Sequence, residues 1–172
     1  MASLMENLID VLNKENSEYK LLLELSRRKS PVIVQGDLKA LEQITDEEQI
    51  IVGRIQHLER SREEVLKDIA NVINKDVATL KLTELIKMLA KRPEEQAQLS
   101  ALHDELQVSV KAVAIVNERN RELITNALEL VNFDMNLIQS MNAAPETANY
   151  NRGAYNVGGT MGVMSGSFDA RQ

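Results

Sequence analysis

Apolar residues recur at intervals of three, four and seven along most of the chain, the spacing that places them on one face of an α-helix. The first such stripe begins at Met5 and Leu8 and predicts a long helix. We expect Pro31 to break or kink this helix, because proline lacks an N–H group and clashes with the preceding turn. Glu15 interrupts the stripe and is expected at its edge.

A corner and a second helical region follow. Gly36 suits the end of a helix and Asp37 the start of the next, because glycine tolerates a left-handed backbone and aspartate accepts from free N–H groups. The apolar spacing then predicts a short helix over 38–44. Thr45 and Glu48 form a capping box, which predicts a separate long helix reaching Val72.

The last stripe is the longest. After a short helix over 80–89, Pro93 suits a helix start, and nothing before Met141 would stop that helix. Two rows in it repeat every seven residues and require partner helices, from this chain or from another. The rows are Leu99, Leu106, Val113, Asn120, Ala127, Asp134 and Met141, and Leu102, Ser109, Val116, Leu123, Leu130 and Leu137.

The length of this last helix points to an exposed surface. Residues 93–141 would span about 70 Å, whereas the two earlier long helices reach only about 45 Å each. Either the last helix bends or part of its apolar stripe overhangs the bundle. An exposed apolar stripe of this kind marks an interaction site more often than not.

These patterns predict an all-α fold: an elongated antiparallel bundle of three long helices plus short helices, formed by residues 1–141. The composition agrees, with 44% apolar but only 3% aromatic residues. Residues 142–172 are rich in glycine, asparagine and serine, nearly uncharged and without periodicity. Such a segment buries too little apolar surface to order itself, so we expect a flexible C-terminal tail.

Composition also excludes several classes of function. The chain has no cysteine, which rules out disulfides and thiolate metal sites. Its net charge of -6 is opposite to that of a nucleic-acid-binding protein. No apolar run approaches the roughly 20 residues of a membrane span, and the first residues lack the features of a signal peptide. We therefore expect a cytoplasmic protein without stable membrane insertion.

No catalytic or metal-binding set is found. The two histidines, His57 and His103, lack the Glu-x-x-His spacing of di-metal helical bundles. The glycine-rich segment 158–162 lacks the Lys-Ser/Thr ending of a phosphate-binding loop. We therefore expect no enzymatic activity, no metal and no cofactor.

Asn117 and Asn120 are the most specific local feature of the last helix. Two amides three residues apart lie in or beside its apolar rows. A buried amide in such a row fixes helix register at some cost in stability. The alternative is that the pair makes polar contacts with a bound partner.

Several segments, taken in order, resemble the FlgN-type flagellar export chaperones. Residues 35–41 (Gln-Gly-Asp-Leu-Lys-Ala-Leu) resemble the family's glycine-aspartate corner, and residues 58–64 its charged middle helix. Residues 117–124 resemble the Asn-x-x-Asn stretch of its last helix. The segments 150–153 and 167–170 resemble the family's ending.

This resemblance implies a cytosolic chaperone of type III flagellar export. Such a chaperone binds the C-terminal helical region of hook-filament junction proteins, prevents their premature assembly and delivers them to the export gate. Helix-in-groove packing would place the client on the second half of the last helix. The candidate client-binding residues are Leu123, Ile124, Ala127, Leu130, Val131, Leu137, Ile138 and Met141. The candidate residues for docking at the export gate are Tyr150, Tyr155 and Phe168.

Two other functions remain open from the pattern alone. A generic coiled-coil adaptor or self-associating scaffold would pair the same stripe with a second copy, giving a homodimer in the absence of client. A membrane-surface protein is disfavoured, because the apolar faces are not flanked by lysine and arginine.

Overall fold

The computed structural model of the protein describes residues 2–76 and 80–143. Every regular element in these ranges is a helix, which confirms the predicted all-α class. The elements are α1 (Ala2–Gln35), α2 (Leu38–Val72), α3 (Leu82–Met88), a 3-10 turn (Leu89–Lys91) and α4 (Pro93–Asn142).

Helix α1 continues through Pro31, so a break at this residue is wrong, whereas a kink there stays a prediction. Contacts on both sides of the proline hold the segment in place. Ile33 is buried, and the Ser30 hydroxyl donates to Asn120 Oδ1 over 2.5 Å. This tertiary packing offsets the loss of one helical hydrogen bond at Pro31.

The corner between α1 and α2 has the predicted chemistry. Gly36 has a φ of 68°, in the left-handed region that glycine adopts without strain. The Asp37 carboxylate accepts from the Ala40 N–H at 3.0 Å and caps α2. Both predictions are confirmed.

The predicted interruption of α2 at Thr45 is wrong. The Thr45 hydroxyl donates to the Leu41 carbonyl one turn earlier and caps no new helix. Ile44 and Ile51, on either side of it, are buried in the same cluster. Because both residues pack on one face, the helix stays continuous across the capping sequence.

Polar pairs give the directions of the long helices. Lys29 Nζ lies 2.6 Å from Glu48 Oε2, and farther from the corner Arg62 Nε lies 3.0 Å from Glu15 Oε2, so α2 is antiparallel to α1. Helix α4 is parallel to α1, since Ser109 bonds Asn16 and the later Asn120 bonds Ser26. Consecutive long helices are therefore antiparallel, as predicted.

The buried apolar residues form two clusters. The larger one joins all four helices and the smaller one lies nearer the α1–α2 corner, where α4 contributes only Val113. The larger cluster contains Met5, Leu8, Leu12, Ile69, Ala70, Leu80, Leu82, Leu85, Leu99, Leu102 and Leu106. The smaller one contains Leu22, Leu25, Ile44, Ile51, Ile55 and Val113.

The chain divides into two compact units, residues 1–134 and residues 135–172. Every buried residue of the described ranges belongs to the first unit. The described part of the second unit, residues 135–143, consists of the last turns of α4 and the residue after it. The predicted division into a bundle up to residue 141 and a tail after it stays a prediction.

Candidate functional site

The first half of α4 is a core helix. Leu99 is completely buried, and Leu102 and Leu106 follow it on the same face. All three pack in the larger cluster against α1, α2 and α3. In this part of the helix, the partners that the apolar repeat requires are supplied by the chain itself.

Polar layers hold the middle of α4 against α1. The Ser109 hydroxyl donates to Asn16 Oδ1 over 3.0 Å, and both side chains are buried. Asn120 donates from Nδ2 to the Ser26 carbonyl over 2.7 Å and accepts from the Ser30 hydroxyl. Such pairs fix one register of two helices, because a shift would leave buried polar groups without partners.

The two asparagines of the Asn-x-x-Asn stretch occupy different environments. Asn120 is buried and engages its amide oxygen and nitrogen within the bundle. Asn117, three residues earlier, is exposed. The sequence places the two side chains close together on the helix. It does not show that one of them lies on the face covered by α1 and the other outside it.

After Asn120, α4 contains no buried residue within the described range. In the first unit, Leu123 is half-buried, whereas Ile124, Ala127, Leu130 and Val131 are exposed. Leu130 shows 61% of its surface to solvent. These side chains continue the face that carries Val113 and Asn120 at the same seven-residue spacing.

In the described part of the second unit, the remaining candidate client-binding residues are exposed as well. Leu137, Ile138 and Met141 each show about half of their surface or more. Three further apolar side chains that the seven-residue rows did not include are also exposed: Leu128 and Phe133 in the first unit and Met135 in the second. The seven-residue repeat does not indicate these three residues. The sequence feature that does is the near absence of charged residues on any side of this part of α4.

A buried charged pair lies between α1 and α2. Glu15 is 1% exposed, so its predicted place at the edge of the stripe is wrong. Its Oε2 atom lies 3.0 Å from Arg62 Nε, and neither atom has a well-directed hydrogen bond within the described chain. Burial raises the pKa of the Glu15 carboxyl above its ordinary value of 4.5, and the Arg62 charge opposes that rise.

Tyr19 lies beside this pair. Its hydroxyl donates to Glu59 Oε1 over 3.1 Å. Burial and the adjacent Glu59 carboxylate raise the pKa of the Tyr19 hydroxyl to about 12. A phenol with so high a pKa stays protonated at neutral pH, and here it acts as a hydrogen-bond donor between helices.

The described ranges hold no group of three or more histidine, acidic or cysteine side chains placed to bind a metal ion. His57 is exposed, and His103 Nδ1 lies 3.1 Å from the neighbouring Asp104 carboxylate. Within the same ranges, no helix combines the length and the hydropathy that crossing a bilayer requires. Tyr150, Tyr155 and Phe168, the candidates for docking at the export gate, lie outside the described residues.

The fold is a helical bundle whose last helix carries an exposed apolar stripe. The family model described as FlgN protein matches residues 1–157, and the chain belongs to this family. FlgN proteins are chaperones of flagellar export, and binding flagellar export substrates is the role that membership implies. Neither the search of curated proteins nor that of solved structures gave a match.

Proposed function

We propose that the protein is a cytoplasmic chaperone that binds the C-terminal helical region of hook-filament junction proteins. The observation that supports this function is the exposed apolar face of α4 after Asn120. A client whose terminal helices later pack into a filament needs a temporary helical partner, and this face supplies one by helix-in-groove packing. Covering the client's helices would prevent their premature assembly.

The composition of this face suits a helical client. Between residues 123 and 141, only Glu129 and Asp134 carry a charge. Burying these turns against a client helix would therefore desolvate few ionised groups, while removing many apolar side chains from water. The candidate contact residues are Leu123, Ile124, Ala127, Leu130, Val131, Leu137, Ile138 and Met141.

Calorimetry with the C-terminal segment of a junction protein from the same genome tests this site. Replacing Leu130 and Leu137 by aspartate should abolish binding and leave the helical circular dichroism unchanged. The matched control replaces Val108 and Ile115, which are even more exposed and lie on the bundle half of α4, by aspartate. Binding that survives the first change, or is lost equally with the second, would reject the site.

Delivery to the export gate is the second part of the proposal. Tyr150, Tyr155 and Phe168 are three of the five aromatic residues in the chain, and they supply large contact surfaces on a segment made mostly of small and polar residues. Removing residues 142–172 should leave client binding intact and abolish client export. Normal export by the truncated chain would reject the role of these residues.

The alternative is a self-associating adaptor whose α4 face pairs with that of a second copy, because apolar rows at seven-residue spacing are equally suited to a coiled coil. Light scattering distinguishes the two functions. A permanent dimer that is lost on replacing Leu130 and Leu137 by aspartate, together with no binding to any junction protein segment, would favour the adaptor.

A further inference from the structure

Within the first unit, the exposed half of α4 has apolar side chains on two sides rather than one. Val131 lies 18 residues, about five turns of helix, after the buried Val113, and Ile124 stands in the same relation to the buried Leu106. We refer to Ile124, Ala127 and Val131 as the inner face. These residues continue the side of α4 that the bundle covers in the first half of the helix.

A second set of apolar residues lies on another side of the same turns. Leu123, Leu130 and Phe133 are about 100° away from the inner face around the helix axis, and we refer to them as the outer face. The seven-residue row through Leu123 and Leu130 moves about 20° per repeat around a straight helix, which carries it away from the covered side. Arg119 and Glu122 lie on the same side about three turns before Leu130 and Phe133. Charged residues therefore separate the outer face from the bundle half of α4.

Polar residues fill only the remaining side of these turns. Thr125, Glu129 and Asn132 lie together there, and all three are exposed. At 3.6 residues per turn, the apolar side chains of this part of α4 therefore spread over an arc of about 220° around the helix. Phe133 and Leu128, which are both exposed, lie at the two ends of this arc.

An arc of this width is more than one partner helix covers. A helix that packs one side against a core carries an apolar stripe of about 100°. The first half of α4 gives the same scale, because its buried side chains fall within about 80° although α1, α2 and α3 all contribute to the core around it. A single client helix would therefore leave either the inner or the outer face in water.

We propose that the client covers this part of α4 with two helices, one on the inner face and one on the outer face. The inference rests on the proposed chaperone function and specifies the client as a pair of helices whose apolar stripes face α4 and each other. The helix on the inner face continues the layer that α1 forms beside Asn120. Both helices belong to one client molecule, because the second then packs without a further loss of translational freedom.

Asp134 adds a chemical requirement for the client. It is the one charged residue within the arc over residues 123–134, and its position lies between the inner and outer faces. Helices on both faces would remove its carboxylate from water, so one of them must supply a lysine or arginine at this level. Replacing Asp134 by leucine should therefore weaken client binding. Unchanged or higher affinity would overturn this requirement.

Three consecutive residues provide the test of the two helices. Val131 lies on the inner face, Asn132 on the polar side and Phe133 on the outer face, and all three are exposed. Each is replaced by aspartate, and binding of the C-terminal segment of a junction protein from the same genome is measured by calorimetry. Val131→Asp and Phe133→Asp should each weaken binding by about tenfold or more, because each places a carboxylate in a buried contact. Asn132→Asp is the matched control and should leave the affinity nearly unchanged.

Spin labelling measures the same contacts without adding a charge. The chain has no native cysteine, so Val131→Cys, Asn132→Cys and Phe133→Cys each accept a single nitroxide label. Binding of the same client segment should immobilise the labels at positions 131 and 133 and leave the label at position 132 mobile. Sedimentation velocity of the complex should show one copy of the chain and one client segment.

Three results would overturn the proposal. A wild-type chain that binds no junction protein segment would overturn both this inference and the proposed function. Binding that is lost in only one of Val131→Asp and Phe133→Asp, with a mobile label on the other face, would leave the chaperone function intact and reduce the client to one helix. A complex with two copies of the chain and an immobilised label at position 133 would assign the outer face to a second copy.

Discussion

The two halves of α4 carry one continuous apolar repeat, but only the first half is covered by the described chain. Leu99, Leu102 and Leu106 are buried against three other helices, whereas Ile124, Leu130 and Val131 are exposed at the same spacing. Helical periodicity therefore indicates that these side chains need a packing partner, but it does not indicate whether that partner belongs to the same chain or to another. Within α4, the buried side chains end at Asn120.

The largest expected effect comes from truncating one apolar residue in each half. Leu99→Ala should destabilise the fold by about 3 kcal/mol, because it removes buried methyl groups and leaves a cavity. Leu130→Ala should change stability by less than about 0.5 kcal/mol, because its side chain is already in water. Urea unfolding of both variants measures the difference. Equal losses would show that the second half of α4 is also core.

The boundary between the halves can be tested at the two asparagines. Asn120→Ala should cost about 1–2 kcal/mol, because it leaves the buried Ser26 carbonyl without its amide donor. Asn117→Ala, at an exposed position three residues earlier, is the matched control and should stay within about 0.5 kcal/mol of the wild type. Equal effects of the two substitutions on urea unfolding would contradict the role of Asn120 as the last residue that holds α4 against α1.

A smaller effect is expected from pH at the buried Glu15. The pKa of the Glu15 carboxyl is raised in the folded chain. At a pH between the ordinary pKa and the raised one, the folded state therefore binds the proton more tightly than the unfolded state does. Glu15 therefore contributes more stability as pH falls, and this contribution is lost as pH rises through the folded pKa. Lowering the pH from neutral towards 4.5, the ordinary pKa of the carboxyl, should stabilise the wild type relative to Glu15→Gln. Parallel stability curves for the two proteins would contradict the raised pKa.

Local chemistry allowed some of these features to be predicted from the sequence. Gly36 and Asp37 form the corner as expected, and α4 begins at Pro93, because caps and fixed backbone angles act within a few residues. The helix breaks predicted at Pro31 and Thr45 are wrong. At both positions contacts between distant segments decide the outcome, and these contacts outweigh the local preference for a helix end.

Charge and exposure were harder to predict than helix position. Glu15 was expected at the edge of the stripe. Its burial depends on Arg62, which lies 47 positions later in the sequence but at the same level of the bundle. The candidate face on α4 was predicted from its apolar residues and from the length of the helix. The repeat alone could not distinguish core from binding surface, because both need the same side chains at the same spacing.

Hydrogen exchange of the backbone amides of α4, with and without the C-terminal segment of a junction protein, tests the central claim most directly. Exchange protection reports local opening, so a helix face that gains a partner becomes protected. We expect residues 121–142 to gain protection on client binding, while residues 99–113 are protected in both states. A gain confined to α1 and α2, or none in residues 121–142 despite binding, would contradict the assignment of this face to the client.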